Sequence, residues 1–219
     1  MGEWVDWHTG YAPGTPLSRR LAVVQGLIRT GLDGRAPGPI RVISLCAGDG
    51  RDLLGAITDH PRRLDVSARL VELDPELASR ARARAAEMSP AVEVVTGDAS
   101  ITTAFAGAVP ADVALVCGVF GNISDQDIHR TVDQLPSLCA PNATVIWTRG
   151  TFSPDLTPTI RVWFMEAGFT ELDFVAIPGT TAGVGANLLT SPPRAFAPGV
   201  RLFTFLPRAE RPSVRGSPT

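Results

Sequence analysis

The chain has 219 residues and a formal net charge of -2, with a sequence pI of about 5.9. A hydrophobic content of 44% against 19% charged suits one globular domain with a real core and excludes general disorder, and the mildly acidic balance speaks against a broadly basic nucleic-acid binder. All 20 positions counted as Lys or Arg are arginine, which excludes a lysine Schiff base and a phosphate-loop lysine.

Three cysteines, Cys46, Cys117 and Cys139, lie in apolar runs without zinc-ligand spacing, so no metal site and reduced thiols in a cytoplasmic setting are expected. The first residues carry acids and no apolar run, so no secretory signal is expected. No apolar stretch approaches the ~20 residues of a bilayer-crossing helix, so no membrane partner is expected.

In chain order, Thr15-Pro16 opens a helix with Leu17, Leu21, Val24 and Ile28 on one face, ending near Gly31. Five short apolar runs then read as strands covered on both faces: Arg41–Cys46, Ala68–Leu73, Val92–Thr96, Asp112–Cys117 and Ala143–Thr148. Helical segments alternate with them. Asp52–Asp59 follows the first strand. Pro75–Met88 follows the second, with Asp74 as N-cap. A weaker segment, Ser100–Ala108, follows the third. Ser124–Leu138 follows the fourth, behind the capping pair Ser124 and Asp127. Pro158–Ala167 is a helix ending at Gly168, and Leu172–Ile177 and Val200–Leu206 read as two late strands. Between those two, Pro178–Gly199 reads as a functional loop. The pattern predicts an α/β fold: a Rossmann-like seven-stranded sheet, mostly parallel with an antiparallel last strand, helices on both faces. The expected organisation is an N-terminal lid and helix segment over residues 1–39, a ligand-binding domain over 40–206 and a flexible tail over 207–219.

The chemistry-bearing signals sit at strand ends. Cys46-Ala47-Gly48-Asp49-Gly50-Arg51-Asp52 is a tight glycine turn between a buried strand and a helix start, where the backbone lets a ligand approach closely. Glu72, at the end of the second strand and 22 positions after Gly50, is a carboxylate suited to both ribose hydroxyls of a nucleoside. Asp98, in Thr96-Gly97-Asp98-Ala99, is placed to accept from an adenine amino group. Cys117-Gly118-Val119-Phe120-Gly121-Asn122 closes the fourth strand. In an open parallel sheet such ends form the ligand rim.

Together these residues resemble the class I S-adenosylmethionine (SAM)-dependent methyltransferases over about residues 40–206. The glycine motif departs from that family at its first glycine, replaced here by Cys46. The resemblance implies that Cys46, Ala47, Gly48 and Gly50 line the cofactor, that Glu72 holds the ribose, and that Leu73 packs on the adenine. It implies that Asp98 and Ala99 read the base edge, that Cys117, Gly118 and Asn122 face the methionine part, and that Asp52 approaches its amino end. It also implies that Val200–Leu206 is the antiparallel strand beside Leu172–Ile177. The block Trp7-His8-Thr9-Gly10-Tyr11 followed by TPLSRRL is similar to an actinobacterial small-molecule subgroup and implies a lid, with Tyr11 on the cofactor. His8 is the candidate general base, and Arg149, just past the fifth strand, is the candidate substrate contact. Trp4, Trp7, Trp147 and Trp163 are candidates for an apolar acceptor pocket.

The expected activity is methyl transfer to a small molecule, releasing S-adenosylhomocysteine (SAH), by a monomer or homodimer. An NAD(P)-dependent oxidoreductase is the first alternative. Its fingerprint needs a third glycine where this chain has Leu53, and its Tyr-x-x-x-Lys pair needs a lysine. The second alternative is a SAM-binding protein that transfers no methyl group.

Overall fold

A computed structural model describes residues 9–88, 91–151 and 154–211. His8, Trp4, Trp7 and the last stretch of the tail lie outside the described residues. The strands are β1 (Ile40–Leu45), β2 (Val66–Glu72), β3 (Val92–Thr96), β4 (Ala111–Val116), β5 (Cys139–Gly150), β6 (Phe169–Ala176) and β7 (Ala182–Leu189). They form one seven-stranded sheet in the order β3-β2-β1-β4-β5-β7-β6. The β1–β2, β1–β4, β2–β3 and β4–β5 pairs are parallel, and β7 runs antiparallel to both β5 and β6.

Helices cover both faces. Pro16–Asp33 (α1), Arg51–Ile57 (α2) and Pro75–Met88 (α3) lie on one face. Val24, Ile28 and Leu32 of α1 and Leu53, Leu54 and Ile57 of α2 pack there on Val42, Leu70, Val113 and Leu115. Asp125–Gln134 (α4) and Thr157–Glu166 (α5) lie on the other, where Ile128, Val132, Ile160 and Phe164 pack on Ile43, Leu45, Val116, Val145 and Trp147. The caps follow the sequence. Thr15 accepts from the Ser18 N–H (3.2 Å), and Asp74 Oδ1 accepts from the N–H groups of Glu76 (2.9 Å) and Leu77 (3.1 Å). No helix among the described residues is long and apolar enough to cross a membrane.

Two late elements differ from the sequence reading. The antiparallel strand is Ala182–Leu189, inside the segment read as a loop, whereas Val200–Leu206 is not a strand. The physical reason lies in two glycines, which weaken a strand signal. A Cβ on Gly185 would fall inside the Trp147 indole, and one on Gly183 would come within 2.6 Å of Phe174 Cζ. The aromatic rings occupy the space that β-branched side chains fill elsewhere. Val200–Leu206 instead runs as an extended strap with two isolated bridges, Ile101 to Arg201 and Ile123 to Phe205. It takes the place of a helix between β3 and β4, where the chain forms only a 3-10 turn at Thr102–Phe105. Its own Leu202 and Phe203 are fully buried in the core on that face.

Candidate active site

The sheet order reverses between β1 and β4, so the carboxyl ends of these strands flank the switch point where open α/β sheets take their ligands. β1 ends in a turn of unusual backbone: Cys46, Gly48 and Gly50 have φ of 52, 59 and 75°. Cys46 thus adopts the left-handed conformation that a glycine normally fills. At Gly50 the requirement is also steric, since a Cβ would lie 2.8 Å from Leu54 Cδ1. Asp49 is buried and locks the turn from behind. It pairs with Arg51 of α2 (2.5 Å) and Arg84 of α3 (3.1 Å).

Glu72, only 8% exposed, accepts from the N–H groups of Gly48 (2.7 Å) and Asp74 (2.9 Å). The carboxylate therefore ties the β2 end to the glycine turn and keeps acceptor capacity on both oxygens. Burial pushes its pKa up, against the pull of those backbone N–H groups. Leu73 beside it is 66% exposed, an apolar side chain laid open on the rim. The Gly97 N–H donates to the Glu72 carbonyl (2.9 Å) and draws in the β3 end. Asp98 follows, half exposed, with Oδ1 accepting from the Ser100 N–H (2.9 Å) and hydroxyl (2.6 Å). Ala99 is buried behind it.

A second group of charges lies at the start of α2. Burial raises the Asp52 pKa, with Arg20 of α1 pulling it down and the Cys117 thiol as a hydrogen-bond partner. Arg20 also donates to the Tyr11 hydroxyl (2.7 Å), and the Arg51 guanidinium lies 4.0 Å from the centre of the Tyr11 ring. Burial pushes the Tyr11 pKa up to about 12. The segment before the sheet therefore folds back onto the glycine turn. Arg20 falls on the face of α1 defined by Leu17, Leu21 and Val24, and a charge at an apolar-face position is the sequence signal that could have marked it.

On the β4 side, Gly118 has φ of 74° and a Cβ there would meet nothing within 4 Å, while its N–H donates to the Thr148 hydroxyl (2.8 Å). Thr148 is a positioning contact that the sequence reading did not include. The Asn122 amide donates to the Gly118 carbonyl (2.7 Å) and braces this loop. Burial raises the Cys117 thiol well above its ordinary range and also raises Cys46, so both are small neutral groups on the site floor. Arg149 is buried and donates to the Phe120 carbonyl, joining the end of β5 to the loop after β4. Burial lowers its pKa, and Asp125 and Asp155 act against that.

Two pocket expectations are corrected. Trp147 is fully buried in the core, stacked on Phe164 at 5.5 Å, and Trp163 stacks on His129 at 4.8 Å, between α5 and α4. Among the described residues no cluster of three His, Cys, Asp or Glu side chains is arranged for a metal ion.

No protein-family model matches the sequence, and no curated protein matches it. Solved structures do match in shape. Magnesium protoporphyrin IX methyltransferase from Synechocystis PCC 6803, solved with bound SAM, is 12% identical, with a TM-score of 0.64 over 83% of this chain and 88% of that one. The N-methyltransferase NodS from Bradyrhizobium japonicum WM9 is 15% identical, with a TM-score of 0.58 over 80% of this chain and 98% of that one. An O-methyltransferase family protein from Burkholderia thailandensis is 17% identical, with a TM-score of 0.63 over 80% of this chain and 56% of that one. The chain therefore has the Rossmann-like fold found in class I SAM-dependent methyltransferases.

Proposed function

We propose that the protein is a SAM-dependent methyltransferase acting on a small-molecule acceptor. The observation that carries this reading is the pairing of two recognition groups on one rim. Glu72 and Asp98 suit a nucleoside, and the opposed charges of Asp52 and Arg20 suit a zwitterionic amino acid. SAM and SAH carry both parts. The residues fit the group: Leu73 is open beside Glu72, and the approach at Gly118 is clear of any side chain. A dinucleotide fits less well. Its pyrophosphate needs the helix start after β1, where the acid Asp52 stands in the first turn.

Bound SAM supplies a methyl group already activated on a sulfonium. The work left to the chain is alignment and exclusion of water. In this reading Glu72 holds the ribose diol, Leu73 supports the base and Asp98 and Ala99 meet its edge. Asp52 takes the amino group and Arg20, steadied by Tyr11, the carboxylate. Cys46, Ala47, Gly48, Gly50, Cys117 and Gly118 shape the floor, and Asn122 braces the loop that faces the acceptor. Arg149 sets that loop through the Phe120 carbonyl, a positioning role. The segment around Tyr11, ahead of the core-packed helix α1, acts as the lid, and His8 is our candidate base for a protonated acceptor. Three free thiols accord with a cytoplasmic protein.

Calorimetric titration with SAM, SAH and NAD tests this. We expect SAH to bind and NAD not to, and Glu72→Ala to weaken SAH by at least tenfold, about 1.4 kcal/mol. NAD binding more tightly than SAH, or an unchanged SAH affinity in the variant, overturns the reading.

A further inference from the structure

The strap after β7 is part of the rim as well as part of the core. It enters where the Arg194 N–H donates to the Pro136 carbonyl (3.1 Å) and leaves where the Leu206 N–H donates to the Asn122 carbonyl (2.8 Å). Between these points it is clamped on both sides of Arg201. The Val200 N–H donates to the Thr102 hydroxyl (3.0 Å). The Thr102 N–H donates to the Val200 carbonyl (3.0 Å), and the Leu202 N–H donates to the Ser100 carbonyl (2.7 Å). The backbone of Arg201 is thus fixed while its side chain stays half exposed.

That side chain lies over Asp98. One guanidinium nitrogen donates to the Ser100 hydroxyl (2.9 Å) and stands 3.6 Å from Asp98 Oδ2. The two oxygens of Asp98 differ in consequence. Oδ1 already accepts twice from Ser100. Oδ2 is the oxygen that remains for a base edge. At 3.6 Å the arginine is beyond hydrogen-bond length, so it leaves the Oδ2 lone pairs available. It is still close enough to hold the carboxylate electrostatically in one orientation.

We propose that Arg201 is a positioning residue for base recognition: through Asp98 it makes the site select a purine bearing a 6-amino group. This rests on the nucleoside-binding reading of the rim. The strap thereby contributes to cofactor choice from a part of the chain about a hundred residues away from the acid it orients.

The test compares SAH with its analogue whose purine carries hydrogen in place of the 6-amino group, by calorimetry, in wild type, Arg201→Ala, Arg201→Lys, Asp98→Ala and the Arg201→Ala/Asp98→Ala double variant. Melting curves confirm folding, which a half-exposed side chain allows. We expect Arg201→Ala to weaken SAH about threefold to fivefold, the scale of one partly exposed ion pair, and to leave the affinity of the 6-hydrogen analogue unchanged. Arg201→Lys recovers part of the loss, and Arg201→Ala has no further effect once Asp98 is alanine. An equal loss for both ligands assigns Arg201 to strap packing and overturns the proposal, as does no loss at all. Wild-type protein that fails to bind SAH removes the donor reading itself, a result distinguishable before any variant is made.

Discussion

Asp52 concentrates the tension between folding and binding in one side chain. Burial holds its pKa above the ordinary carboxylate value, so the folded chain binds that proton more tightly than the unfolded chain. The group's contribution to stability is complete below the ordinary value and is lost as pH rises through the raised one. Asp52→Asn should therefore melt above wild type at neutral pH, with the gap closing as pH falls towards about 4. Its SAH affinity should be weak at every pH, whereas that of wild type should fall as acid protonates Asp52. Parallel melting profiles for the two proteins across this range would sink the idea. The acids at Glu72 and Asp98 were legible from spacing after the glycine turn, because strand ends at a switch point are few. Arg20 carried a weaker signal, a charge at helical spacing with Leu17, Leu21 and Val24, and its partners Tyr11 and Asp52 become visible only once α1 is docked.

At the level of elements, the capping pair at the start of α4 is only half of what its letters suggest. Ser124 does accept from the Asp127 N–H (3.1 Å). The Asp127 carboxylate, however, turns to the strap and accepts from the Thr204 N–H (2.9 Å). Thr131 joins it by donating to the Leu202 carbonyl (3.1 Å). Asp127→Ala should cost about 1–3 kcal/mol by leaving a strap N–H unsatisfied. Amide exchange at Thr204 should quicken far more than in β4, and Asp127→Asn, which keeps an acceptor, should restore most of the protection. Uniform quickening across the sheet would contradict this local role. β1, β4 and β5 could be read from sequence because strands covered on both faces are apolar over most of their length, and the edge strand β3 through its β-branched residues, although none of them is fully buried. The strap misled that reading because its residues have strand composition. Its backbone groups are met one at a time by Ser100, Asn122 and Asp127 instead of by a neighbouring ladder.

Across the whole molecule the sheet divides its labour. The ends of β1 to β4 carry the candidate site, while β5, β7 and β6 are held by an aromatic stack of Trp147 with Phe164 at 5.5 Å and Phe174 at 5.8 Å. Gly185 leaves room for that stack, so Gly185→Ala should destabilise the fold by about 1–3 kcal/mol through overpacking. Measured by denaturant titration, that loss should accompany an SAH affinity within about twofold of wild type at a temperature where the variant is folded. A matching collapse of affinity would show that the two halves are not separable in this way. Overall architecture was thus readable from alternating apolar runs, and the position of the antiparallel strand was hidden by glycines whose partners are aromatic and distant.

The order of synthesis gives the strap one more consequence. Residues 200–206 meet partners at 100–131 that leave the ribosome far earlier. Until the strap emerges, a nascent chain exposes the apolar surface that Leu202 and Phe203 finally cover. A translation pause upstream of Val200 would thus prolong the interval in which that surface stays uncovered, and the loops at the ends of β3 and β4 would acquire their final shape only after the strap is made.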